Sequence, residues 1–167
     1  MSLFGQKVRL LRQQHDVTQS VLATHLGLSS HSHLVKIEAG QRGTSTMLAV
    51  KTAHFFNVTV TYLLDDTVPI EQIQIWQGQP LSNRDHPTRQ LGPKVRYLRE
   101  HRQFSQSDLA RQLDLAGQAT ISNIEHGRKT VTPALLLRLA SALQATPDYF
   151  VRDEVDISAF DAEQSSM

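Results

Sequence analysis

The 167-residue chain contains no cysteine. It therefore has no disulfide and no thiolate chemistry, and the disulfide-stapled secreted class is excluded. It also lacks a long apolar run: nothing approaches the roughly 20 residues that span a bilayer. The first ten residues already carry Gln6, Lys7 and Arg9, so the uninterrupted apolar stretch of a signal peptide is missing. Net charge is nearly absent, at +1, and by itself that total favours no charged partner. A cytoplasmic protein with no membrane partner is expected. What is present, 40% hydrophobic and 20% charged residues, is ordinary for a globular protein. The length admits one domain or two small ones.

The chain repeats itself. A single shift of 87 residues aligns its halves without a gap: Gly5 falls on Gly92, Lys7, Val8 and Arg9 on Lys94, Val95 and Arg96, and Leu11 and Arg12 on Leu98 and Arg99. Gln19, Ser20, Leu22 and Ala23 recur as Gln106, Ser107, Leu109 and Ala110. Between residues 4 and 66, 20 of 63 positions are identical, so one unit of about 65 residues is written twice, a size that folds alone though marginally. Two copies are too few for a solenoid. The expected layout is one domain over 1–66, a connector over 67–90, a second domain over 91–153 and a tail over 154–167.

Counting charge by segment changes its meaning. The segments carry +2 (1–66), −1 (67–87), +4 (88–153) and −4 (154–167). An acidic tail thus conceals two basic units, and such tails are commonly solvated ends.

Each unit reads as a short helical bundle. Leu3, Val8, Leu10 and Leu11 sit at helical spacing. Thr18 looks like an N-cap ahead of an apolar face of Val21, Leu22 and Leu26. Gly27 breaks that helix. A third helix carries Leu34 and Ile37 and stops at Gly40. A fourth starts near Thr46, and a short fifth runs from Thr59 to about Leu64. In the second unit Ser105 and Asp108 resemble a capping box. Thr132-Pro133 and Thr146-Pro147 each pair a cap with proline at the first helical position. A strand-like pattern occurs only in the connector, where Val68, Ile70, Ile73, Ile75 and Trp76 are partly alternating. Val155, Ile157 and Phe160 are its counterparts.

The decisive stretch is Thr18 to Ser29, followed by Leu34, Ile37, Glu38 and Gly40. Its copy is Ser105 to Leu115, followed by Ile121, Ile124, Glu125 and Gly127. A short helix, a tight turn and a second short helix make a helix-turn-helix. The small Ala23 and Ala110 let the helices approach, and Leu28 and Leu115 would plug the turn.

These residues resemble the Cro/cI-type helix-turn-helix family of bacterial and phage regulators, also called the xenobiotic-response-element family. The resemblance covers roughly residues 4–66 and 91–151. It implies an all-α chain of two tandem five-helix lambda-repressor-like domains, nucleoid-associated and bound to double-stranded DNA. The third helix of each would lie in the major groove and the second would cross the backbone. By position, Gln19 and Gln106 would hydrogen-bond phosphate. Ser30, His31, Ser32, His33 and Lys36 would face bases in the first unit, and Gln118, Ala119, Thr120, Ser122 and Asn123 in the second. Gln and Asn suit adenine, and Lys suits guanine. Arg42, Arg128 and Lys129 follow the recognition helices, where the family contacts phosphate. Arg12 with Glu38, and Arg99 with Glu125, correspond to a structural ion pair joining the first and third helices. Both units carry one residue more than the commonest family spacing between the second helix and the Ile-Glu pair.

Bland readings compete at several positions. The matched Leu, Ile and Ala residues are core positions and say nothing of DNA. Histidine is dense in the first unit (His15, His25, His31, His33 and His54), but His31 and His33 are two apart and diverge on a helix. A zinc site wants convergent ligands and no cysteine helps, so no metal or cofactor is expected. No nucleophile or phosphate-loop context appears either, and no enzyme is expected. Trp76 reads as a packing anchor.

The resemblance implies a sequence-specific DNA-binding transcriptional regulator, expected to act as a repressor. One chain would occupy a whole operator, because linkage raises the effective concentration of the second unit. The unlike recognition helices predict an asymmetric site. Residues 68–76 and 155–160 would assist assembly, within one chain or in a homodimer. A second reading stays open, an antitoxin or interaction adaptor in which one unit has lost DNA binding.

Overall fold

Serine and threonine caps set most helix starts. The computed structural model describes residues 3–78, 88–153 and 155–157. In it, Thr18, Ser45 and Thr59 each accept a hydrogen bond from the backbone N–H three residues on. Ser105, Thr132 and Thr146 do the same. Each cap satisfies one of the N–H groups a helix start leaves unpaired. Ser105 and Asp108 complete a reciprocal capping box, and Pro133 and Pro147 open their helices where a missing N–H costs nothing.

The chain divides between residues 80 and 81 into two compact units. Unit 1 holds α1 (Phe4–Gln14), α2 (Gln19–His25), α3 (His31–Glu38), α4 (Thr46–Phe56) and α5 (Val60–Leu64). Unit 2 holds α6 (Leu91–His101), α7 (Gln106–Gln112), α8 (Gln118–Glu125), α9 (Pro133–Ala142) and α10 (Pro147–Val151). The architecture is all-α, two five-helix helix-turn-helix domains in tandem. The turn after α2 closes at Gly27 with φ +69°, and Asp114 takes the same left-handed position after α7 with φ 47°.

Within each unit the first helix meets the third without a side chain between them. A Cβ on Gly5 would collide with the carbonyl oxygen of Ile37, and one on Gly92 with that of Glu125. That close approach explains why glycine stands at both positions. Val8, Leu11, Leu22, Leu34 and Ile37 fill the core of unit 1, and Val95, Leu98, Leu109, Ile121 and Ile124 that of unit 2.

Two buried lysines tie the last helix to the first. Lys7 Nζ donates to the carbonyls of Tyr62 (2.7 Å) and Asp65 (2.8 Å), and Lys94 Nζ to those of Tyr149 (2.8 Å) and Arg152 (2.6 Å). Each ammonium satisfies carbonyls that the end of a short helix leaves open. Each also lies about over a tyrosine ring, 5.0 Å from the centroid of Tyr62 and 5.1 Å from that of Tyr149. Burial pushes the Lys7 pKa below its ordinary value, opposed by Asp66 and Asp65. Asp66 accepts from Leu3 N, and Asp153 from the N–H groups of Arg89 and Gln90, so both chain closures recur.

One expectation changes. Val21 is not part of the apolar face of α2: it is 55% exposed, on the outer side of the first turn. Leu28 and Leu115, expected to plug the turns, are half-buried, as is Leu10. The stretch after residue 66 packs on unit 1. Thr59 N donates to Gln74 O (2.8 Å), Trp76 N to Asn57 O (3.0 Å) and Tyr62 Oη to Ile70 O (2.6 Å). Val58 and Ile75 form an isolated antiparallel bridge, and Gly78 leaves room for the Trp76 ring. Residues 67–78 therefore fold back onto their own unit as a strap. In unit 2 the Tyr149 hydroxyl likewise donates to Ile157 O (2.7 Å). Residues 79–87, Phe160 and all of the tail except residues 155–157 lie outside the described residues.

Candidate nucleic-acid interface

A carboxylate fork organises the base of each helix-turn-helix. Arg12 Nε and Nη2 donate to Glu38 at 2.8 and 3.1 Å. Arg99 Nε and Nη2 donate to Glu125 at 2.6 and 3.3 Å. The third nitrogen of each guanidinium reaches the loop before the second helix, at Val17 O (3.1 Å) and Phe104 O (2.8 Å). The paired glutamate pushes each arginine pKa above its ordinary value, chiefly through these hydrogen bonds. α1, the start of α2 and the end of α3 are thereby locked together, as are α6, α7 and α8.

The glutamines join the same fork. Gln19 Nε2 donates to Glu38 Oε2 at 2.9 Å, and Gln106 Nε2 to Glu125 Oε2 at 2.8 Å. One amide hydrogen of each is thus engaged inside the protein. An amide nitrogen carries two donor hydrogens, so the second of each is left over from the fork.

The recognition helices begin at His31 and Gln118. His31, Ser32 and Lys36 are exposed, as is the cap residue Ser30, while His33 is half-buried. In unit 2 Gln118, Ala119 and Asn123 are exposed, and Thr120 and Ser122 half-buried. Gln118 Oε1 accepts from Ser107 Oγ (3.0 Å), which orients the first residue of α8 from the second helix. Arg42, Arg128 and Lys129 are exposed in the turns that follow. Those turns are built alike: Arg42 N donates to Lys36 O and Lys129 N to Asn123 O, both at 3.2 Å.

One residue on this face was missed. Val35 is 39% exposed on α3, and the 87-residue shift sets it on Ser122, which was selected. The repeat itself carried the signal. Val35 borders an open groove whose lining includes Arg12, Gln19 and Glu38, so it stands beside the fork. No group of three or more His, Cys, Asp or Glu able to hold a metal occurs among the described residues.

Comparison with known proteins gives the class. Residues 8–63 match a family described as helix-turn-helix, and residues 90–150 match a second described as helix-turn-helix domain. The chain is a DNA-binding helix-turn-helix protein. More closely, it is of the Cro/cI type, also called the xenobiotic-response-element type, and carries two such domains in tandem. No curated protein and no solved structure matches it. No helix among the described residues is long and apolar enough to cross a membrane.

Proposed function

We propose that the protein is a sequence-specific transcriptional repressor whose two units read the two unlike halves of one operator. One observation carries this reading. The same fork and the same helix-turn-helix occur twice, while the exposed positions of α3 and α8 hold different residues throughout. A true palindrome suits two identical units; this chain suits an asymmetric site. Half-sites about one helical turn apart, roughly 34 Å, are the usual arrangement for such domains. Covalent linkage supplies the second unit at high effective concentration. Base reading falls to Ser30, His31, Ser32, His33 and Lys36 in one half and to Gln118, Ala119, Thr120, Ser122 and Asn123 in the other. Gln19, Gln106, Arg42, Arg128 and Lys129 position the units on phosphate.

The test is a genome-wide footprint of the purified protein, followed by salt titration on the bound fragment. Each phosphate contact contributes about 0.9 to the slope of log affinity against log salt. Reversing Arg128 and Lys129 together lowers that slope by about two units, and reversing Arg42 by about one. If neither change alters affinity or slope, these three residues do not contact phosphate; absence of any footprint overturns the DNA reading and puts an interaction adaptor in its place. A footprint with two-fold symmetry removes the asymmetric operator alone.

A further inference from the structure

The recognition face of each unit carries one apolar residue, but at different places: Val35 in unit 1, and Ala119, opposite Ser32, in unit 2. Residues 31, 32, 35 and 36 share one side of α3 by three- and four-residue spacing. All four are exposed. Three are polar and the fourth is Val35, where unit 2 has Ser122. A single exposed valine is ordinary on a protein surface. Its position is what matters: a branched aliphatic side chain, poor in helix propensity, stands in the middle of a face otherwise made of hydrogen-bonding groups. It also stands next to the carboxylate fork that fixes α3 against α1 and α2, so its place is rigidly held.

We infer that Val35 reads the 5-methyl group of a pyrimidine in the major groove of the half-site bound by unit 1. In a base pair the 5-methyl is the apolar group displayed there, and an aliphatic side chain recognises it by excluding water. Valine has no donor or acceptor with which to read any other base edge. The methyl belongs to thymine in unmodified DNA and to 5-methylcytosine in methylated DNA, and the chemistry of contact is the same. Lys36, beside it on the helix, carries the charge that suits a neighbouring guanine. Ser122 at the matching place in unit 2 has a hydroxyl instead, so unit 2 has no methyl reader at this position. The inference rests on the DNA-binding reading of unit 1 and adds to it a named chemical group.

The experiment uses the intact protein and the DNA fragment defined by footprinting. Each thymine is replaced singly by deoxyuridine, which removes only the methyl, and each cytosine singly by 5-methylcytosine, which adds one. Affinities are measured by fluorescence anisotropy for the natural protein and for Val35→Ser. Burial of one methyl is worth about a four-fold change in affinity. The expected result is such a loss at a thymine, or such a gain at a cytosine, in one half-site, and its disappearance in Val35→Ser. The thymine arm points to unmodified DNA and the cytosine arm to methylated DNA. Identical responses of the two proteins at every position overturn this inference and leave the DNA reading standing. Absence of any footprint overturns both.

Discussion

Unit 1 and unit 2 agree in the buried framework that joins their helices and differ along the exposed side of α3 and α8. Lys7 and Lys94 make the same two carbonyl bonds. Arg12 and Arg99 close the same fork, and Gln19 and Gln106 lean on it in the same way. Across α3 and α8 the exposed and half-exposed pairs are His31 and Gln118, Ser32 and Ala119, His33 and Thr120, Val35 and Ser122, and Lys36 and Asn123, with no identity among them. The interior geometry is a shared scaffold that carries two unlike surfaces. Unit 2 is also the more heavily fastened. It has the capping box at α7, proline at the start of α9 and α10, and a buried Arg152–Asp148 pair at 3.1 Å. Unit 1 has the strap over residues 67–78, of which unit 2 shows, among its described residues, the bond from Tyr149 Oη to Ile157 O.

Breaking the fork tests whether the shared interior is equally important in both units. Among the described residues, Glu38→Ala would leave Arg12 with no carboxylate, only Val17 O, whereas Glu125→Ala would leave Arg99 its contact with Glu100 at 3.3 Å. Removing one partner of a buried pair costs about 3–5 kcal/mol. The expected losses are at the upper end for unit 1 and the lower end for unit 2. Amide hydrogen exchange on the intact chain, read unit by unit, measures both; a larger loss in unit 2 reverses the ranking.

The caps give a smaller contrast. Ser105→Ala removes a hydroxyl that serves a reciprocal box, whereas Thr18→Ala removes a single acceptor. A lost cap costs about 1 kcal/mol, and Ser105→Ala is expected to exceed Thr18→Ala in the same exchange measurement. Equal losses would show that the box adds nothing to the simple cap.

Acid supplies the smallest effect. Hydrogen bonds from Ser105 hold the Asp108 carboxyl below the ordinary carboxylate range, with Arg111 adding to the shift. A carboxyl whose folded pKa is depressed gives its stabilisation above the unfolded value, about 3.9, and loses it as pH falls through the folded value. The start of α7 should therefore begin to fray below about pH 4. Asp108→Asn, which cannot titrate, should remove that dependence in chemical-shift titrations. Val21 holds the matching place in α2, so α2 should show no such transition.

Local chemistry made much of this legible. A hydroxyl before an apolar-periodic run marks a helix start because the N–H groups there need an acceptor, and Thr18, Ser105, Thr132 and Thr146 were readable for that reason. Lys7 was not. Charged side chains are rarely buried, and only the folded chain brings the open carbonyls of α5 to its ammonium. The alternation of Ile73, Ile75 and Trp76 suggested an extended segment, but its partner at Asn57 to Thr59 depends on where α4 ends, at a left-handed Asn57 with φ 53°. Gln19 was read for the partner it would meet outside, and the carboxylate it meets inside lay 19 residues away. Val21 was misread because helical spacing alone does not say which side of a capped first turn faces water.

The strap has a practical consequence. Trp76 is the only indole in the chain, and it lies in unit 1. Its fluorescence therefore watches one half of the protein, while far-ultraviolet circular dichroism sums the helices of both. Denaturation followed by the two signals together resolves the stability of each unit in the intact molecule, without cutting the chain or attaching a dye.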